Sequence, residues 1–164
     1  MKKLLLTSFF CIFLLVLCSC RAQNYGILSY QGKMIDAECT LNGEYKISIS
    51  KHGEEKKICF LEPSALSPIS FEIAKETVTA RAGEAILPLD GENVRGILAL
   101  SNIFSLNEGS LTTAAALGES SNMEFQTEYG TYTLTLGKNN LPLRVQIYSE
   151  YYRYDIEINA IMLS

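Results

Sequence analysis

The chain has 164 residues, 48% of them hydrophobic and 20% charged, which fits one packed domain rather than a disordered tail. Its 14 Lys and Arg stand against 18 Asp and Glu, with no clustered basic face, which argues against nucleic acid as a partner. Five cysteines are an odd and unevenly placed set: Cys11, Cys18 and Cys20 lie in the first 20 residues, and only Cys39 and Cys59 lie beyond.

The first element in chain order is a targeting segment. Lys2 and Lys3 precede an apolar run from Leu4 to Leu17 that is broken only by Thr7 and Ser8. A spanning helix needs about 20 apolar residues, so this run reads as the core of a secretory signal. An uncleaved anchor is the alternative. The boundary Leu17-Cys18-Ser19-Cys20 closely resembles the lipobox of bacterial lipoproteins. That resemblance implies a diacylglyceryl thioether on Cys20 and cleavage on its N-terminal side. Residues 1–19 are then a lipoprotein signal peptide, and the mature protein is extracytoplasmic, anchored to a bacterial membrane by the lipid on Cys20. Cys18 is the rival site, but it would place Leu17 where the pattern needs a small residue.

Each buried methylene contributes about 0.8 kcal/mol, so two or three acyl chains hold firmly without a polybasic helper. The mature chain keeps 12 basic against 18 acidic residues, a net charge of −6. Residues 20–25 form a short tether, at most about 20 Å when extended, which keeps the domain close to its bilayer.

Residues 26–164 read as a single domain dominated by antiparallel strands. In QGKMIDAECTLNGEYKISIS, a loop at Leu41-Asn42-Gly43 sets Cys39 against Tyr45, Ala37 against Ile47 and Ile35 against Ile49. A turn through His52-Gly53-Glu54-Glu55 then sets Ile47 against Phe60 and Ile49 against Ile58. SFEIAKETVTARAGEAILPLD offers three shorter strands turning at Lys75-Glu76 and Ala82-Gly83. Val94, Ile97, Leu98, Leu100, Ile103, Phe104 and Leu106 recur at helical spacing, which predicts a helix near 93–107. Leu111 to Gly118 suits either a helical turn or a short strand.

A four-stranded meander follows. Gly130-Thr131 suits a type II′ turn setting Tyr129 against Tyr132 and Phe125 against Leu136. The next turns set Leu134 against Leu143, Tyr132 against Val145, Ile147 against Tyr152 and Val145 against Tyr154. The expected fold class is α+β, a strongly curved antiparallel sheet packed on one central helix. The meander order, the central helix and the segment YTLTLGKNNLPLRVQI together resemble the LolA/LppX/RseB-like half-barrel group. That resemblance implies a sheet curled around an apolar hollow, and with it a lipid or another lipoprotein as ligand.

The candidate groove lining is Tyr45, Ile47, Phe60, Tyr132, Leu134, Val145, Tyr152 and Tyr154, the residues whose alternation turns them inward. Their ordinary reading is a packed core. Their functional reading is an amphipathic lining for an apolar ligand. No catalytic motif is present, and no cofactor or metal site is expected. His52 is the only histidine and falls in a turn. Glu124, Glu128, Asp155 and Glu157 fall on the outward phase of their strands. Cys39 and Cys59 fall on opposite faces, one strand removed from each other, so they are read as separate thiols. The function expected is therefore a non-catalytic, lipid-anchored envelope module that binds an apolar ligand or an envelope component. The alternative is a structural or protein-interaction module with a filled core.

Overall fold

β-Branched and aromatic residues alternate with polar ones along most of the chain, and the alternation resolves into eleven strands among the described residues. The structure, a computed structural model, describes residues 28, 30–91, 94–117, 120–137 and 139–164. The lipobox and tether, Cys20 included, lie outside the described residues. The first meander is β1 (Ile35–Leu41), β2 (Tyr45–His52), β3 (Glu55–Glu62), β4 (Ile69–Ala74), β5 (Thr77–Ala82) and β6 (Ala85–Leu89). The second is β7 (Leu111–Leu117), β8 (Ser120–Thr127), β9 (Gly130–Leu136), β10 (Pro142–Tyr148) and β11 (Arg153–Leu163).

The two meanders fuse where β1 pairs with β11, giving one sheet in the order β6-β5-β4-β3-β2-β1-β11-β10-β9-β8-β7. The sheet is curved and unclosed. The chain must pass from the β6 edge to the β7 edge, so the connecting segment crosses the inner face. That segment carries α1 (Arg95–Ser101) and 3-10 turns at Ile103–Ser105 and Glu108–Ser110. The fold is accordingly sheet-dominated rather than α+β.

The helix is shorter than its apolar spacing predicts. Asn102 N–H bonds to the Ala99 carbonyl (3.1 Å), Ser105 N–H to the Asn102 carbonyl (2.9 Å), and Leu106 is extended. Ser-Asn-Ile-Phe-Ser lacks good helix formers, and its polar side chains compete for the backbone, so the tight turn wins. The segment is held by packing: Leu98, Ala99, Leu100, Ile103, Phe104 and Leu106 are all buried. Tyr132 Oη donates to the Ala99 carbonyl at 3.0 Å.

Two lysines complete this attachment. Lys51 and Lys56 are cross-strand partners on the inner face, where like charges ordinarily repel. Lys51 Nζ donates to the Phe104 carbonyl (2.9 Å) and Lys56 Nζ to Asn102 Oδ1 (3.3 Å). Both cations thus sit at the negative, C-terminal end of the helical segment. Burial lowers the pKa of both, and the neighbouring Lys51 charge lowers that of Lys56 further.

Every predicted hairpin is present, but most registers differ from expectation. Leu41 joins the ladder opposite Tyr45, so Cys39 meets Ile47, Ala37 meets Ile49 and Ile35 meets Lys51. The loop is Asn42-Gly43-Glu44, with positive φ at Asn42 and Gly43. This choice buries Leu41, which the predicted loop would have left out. β8 and β9 turn at Glu128-Tyr129, setting Phe125 against Tyr132 and Met123 against Leu134. A bulge between Pro142 and Arg144 leaves Leu143 exposed, so Leu134 meets Val145 and Tyr132 meets Ile147. Ile147 faces Tyr154, and Val145 faces Ile156. The predicted pairs Ile47 with Phe60 and Ile49 with Ile58 are present. Leu111–Leu117 is a strand.

The core carries an unsatisfied hydroxyl at Tyr30. Tyr30 is fully buried and packs edge-on against Phe104 with centroids 5.6 Å apart. Its hydroxyl has no hydrogen-bond partner among the described residues, and burial pushes its pKa up. A buried donor without a partner costs about 1–3 kcal/mol. Tyr30→Phe is therefore expected to raise stability by about 1 kcal/mol at neutral pH. Above pH 10 its advantage should grow, because an unfolded tyrosine releases its proton near that pH while the buried one holds it. Urea unfolding of both proteins at pH 7 and above pH 10 checks this. Equal or lower stability for Tyr30→Phe at pH 7 would contradict it.

Candidate apolar groove on the inner face

The inner face is defined by the row Leu41, Tyr45, Ile47 and Ile49 and its cross-strand partners. The structure divides the eight predicted lining residues into two groups. Ile47, Tyr132, Leu134 and Val145 are wholly removed from solvent. Tyr45, Phe60, Tyr152 and Tyr154 are half-buried and pack against the edge of that core. A ligand meeting the molecule in this conformation touches only the second group.

Ring contacts pair that group in two sets. Tyr45 and Phe60 begin a row that runs across β2, β3 and β4 to Phe71. Tyr45 and Phe60 meet edge-to-face with centroids 6.1 Å apart, and Phe60 and Phe71 likewise at 6.4 Å. Cross-strand pairing carries the row from Phe71 to Ala80 on β5 and to Leu87 on β6. Leu87 is 59% exposed. Sequence reading missed Phe71 and Leu87. Both were within reach, since the predicted turns at Lys75-Glu76 and Ala82-Gly83 carry the alternation into β4, β5 and β6, although the second turn falls one residue later, at Gly83-Glu84.

Tyr152, just before β11, and Tyr154, at its start, lie against α1 at Gly96. Their rings stack at 5.3 Å and 20°. Tyr154 lies against Gly96, where an added Cβ would stand 2.4 Å from Tyr154 Oη. Gly96 is thus the close-approach point between α1 and the sheet. Tyr152 Oη donates to the Tyr129 carbonyl. Burial raises the pKa of both hydroxyls. These two tyrosines support the helix.

The groups weighed for chemistry are placed apart. His52 is exposed, its Nε2 3.3 Å from Asp36 Oδ2. Asp155 is gripped by Arg144 through Nε at 2.7 Å and also through Nη2. That hydrogen bonding holds the Asp155 carboxyl below its ordinary pKa. Glu124, Glu128 and Glu157 are exposed. Cys39 is fully buried on β1 and Cys59 half-buried on β3, with β2 between them and Cys59 opposite Ser48 on the outer face. Burial pushes the Cys39 thiol up to about 12, and the Glu38 charge adds to the shift. Among the described residues, no group of His, Cys, Asp and Glu is arranged to hold a metal ion. No helix there is long and apolar enough to cross a membrane.

The raised acids set a pH dependence. Cys39, Tyr30, Tyr129, Tyr132, Tyr152 and Tyr154 all have folded pKa values above their unfolded ones. Their contribution is complete below pH 9 and falls as the pH rises, since the unfolded chain loses protons first. Lys51 and Lys56 act in the opposite sense, gaining stability as the pH rises toward 10.5. With six groups against two, the melting temperature is expected to fall steadily between pH 9 and 12. A flat profile over that window would contradict the burial of these side chains.

The chain matches no protein-family model, and no curated protein matches it at a significant level. Among solved structures it is similar to an uncharacterized conserved protein from Thermus thermophilus. That likeness has 14% identity and a TM-score of 0.47, covering 83% of this chain and 82% of that one. It is also similar to a LolA superfamily protein from Nitrosomonas europaea, at 7% identity and a TM-score of 0.43, covering 80% of this chain and 84% of that one. These likenesses concern the course of the chain and say nothing of ligand or partner.

Proposed function

We propose that the protein is a non-catalytic lipoprotein of the bacterial envelope, anchored through lipid on Cys20, whose inner-face row binds an acyl chain. The observation that carries this reading is the aromatic row Tyr45–Phe60–Phe71, half-buried and continued to the exposed Leu87. Edge-to-face rings offer a long apolar floor, and apolar floors with few polar groups suit alkyl ligands. The anchor reading rests on the sequence from Lys2 to Cys20 alone. Replacement of Cys20 with Ala is expected to leave the precursor unprocessed and unlabelled by radioactive fatty acid. Normal labelling would overturn the assignment.

Titration of the purified protein with a fluorescent long-chain fatty acid tests the groove. Saturable binding is expected, weakened about tenfold or more by Phe60→Glu, with thermal melting used to check that the variant folds. Unsaturable binding, or equal binding by the variant, would reject the groove.

A second reading is favoured by the filled interior. Ile47, Tyr132, Leu134 and Val145 have no accessible surface under the helix, so the hollow is occupied by the chain's own side chains. On that reading the row docks a protein partner instead of a lipid.

A further inference from the structure

The turns β8–β9 and β10–β11, together with Arg95 of α1, line a wide-open concavity of about 530 Å³ at one end of the sheet. Small-molecule sites run from roughly 300 to 1,000 Å³. The walls are fixed by close packing of the two turns. Gly130 has φ +129°, and an added Cβ would stand 2.4 Å from the Tyr148 carbonyl oxygen. Thr131 pairs with Tyr148 across the ladder. Arg95 Nη2 donates to the Glu128 carbonyl at 3.0 Å, and Thr131 Oγ1 donates to Gln126 Oε1 at 2.8 Å. Arg153 lies over the Tyr148 ring, 4.7 Å from its centroid.

The lining has an unusual chemical balance. Among the described residues, its large apolar surfaces are the rings of Tyr129, Tyr148 and Tyr151, and Tyr151 is 66% exposed. Planar polar groups fill most of the remainder: Arg95, Gln126, Glu128 and Glu150, with serine and threonine hydroxyls between them. An acyl chain would find no aliphatic wall here. A polyanion would meet Arg95 against two carboxylates. A peptide adding as a strand needs an open sheet edge, and β8, β9, β10 and β11 each have neighbours on both sides. A pyranose ring matches the lining on both counts. Its C–H face suits a tyrosine ring, and its hydroxyls take planar donors and acceptors in pairs.

We propose that this concavity binds a neutral oligosaccharide, with Tyr151 as the stacking platform and Arg95, Gln126 and Glu150 as partners for its hydroxyls. The site shares no residue with the acyl groove and stands or falls separately from it.

The test is titration of the full mature lipoprotein, in micelles of a sugar-free detergent, with chitotetraose and separately with maltotetraose. The amide NMR signals of Gly130 and Tyr151 report binding. One of the two glycans is expected to shift both signals, the first indicating an amino-sugar polymer and the second a glucan. Tyr151→Ala removes an exposed ring, so its melting temperature should be unchanged while binding weakens about tenfold or more. Absence of any shift with both glycans at about 10 mM overturns the proposal. So does undiminished binding by Tyr151→Ala, or a short polar peptide shifting the same signals where neither glycan does.

Discussion

Phe104→Ala is expected to cost about 3–5 kcal/mol in urea unfolding, the range for emptying a fully packed aromatic site. Phe104 is 1% exposed and meets Tyr30 edge-on. Its carbonyl also receives the Lys51 ammonium. Removal of the ring therefore leaves a void beneath the segment that crosses the inner face, and loosens the carbonyl that Lys51 holds. The size of the effect distinguishes two pictures of that segment. If it is part of the core, the full cost appears. If it lies on a core that is complete without it, the cost falls below about 1 kcal/mol.

Gly130→Ala is expected to cost about 3 kcal/mol or more, by a different route. Two constraints act at this position. The backbone φ is +129°, which disfavours any side chain, and the new methyl group would press on the backbone oxygen of Tyr148. A backbone atom inside a paired sheet has little room to retreat. Gly53 supplies the control, since it too has positive φ but open space around it. Gly53→Ala should cost about 1 kcal/mol. Measured side by side, equal costs at the two positions would mean that the β8–β9 and β10–β11 turns are not in the contact described here.

The face of each strand was legible in the sequence, while the pairing of strands was legible only in part. Every register that differs does so by an even number of residues: Cys39 meets Ile47 rather than Tyr45, and Phe125 meets Tyr132 rather than Leu136. An even shift keeps each side chain on its own face, so the inward set survives, Leu143 at the β10 bulge excepted, while neighbours change. Alternation of apolar residues reports the face with a period of two and carries no information about which of several apolar partners lies opposite. That choice was settled by details the pattern does not contain. Burial of Leu41, the bulge that expels Leu143 and the fit of Gly130 against Tyr148 each moved a register. The helix ran short for a similar reason. Its apolar spacing persists to Leu106, but Asn102 and Ser105 turn the backbone after Ser101.

The candidate site was legible in the same partial way. Tyr45 and Phe60 were identified, but so were Ile47 and Val145, which are core. Alternation cannot tell a floor from a foundation, because what covers the inner face comes from a segment distant in sequence. The cross-strand lysines show the same limit. Lys51 and Lys56 look misplaced on an apolar face until the carbonyl of Phe104 and the side chain of Asn102 arrive above them.

The most direct test of the acyl-binding reading is native mass spectrometry of the mature protein extracted gently from membranes. The expected spectrum shows the covalently lipidated polypeptide together with a second, non-covalently held lipid. That added mass should be absent from a folded Phe60→Glu variant. A spectrum containing only the lipidated polypeptide, identical for both proteins, would contradict the reading and leave the row as a docking surface for protein.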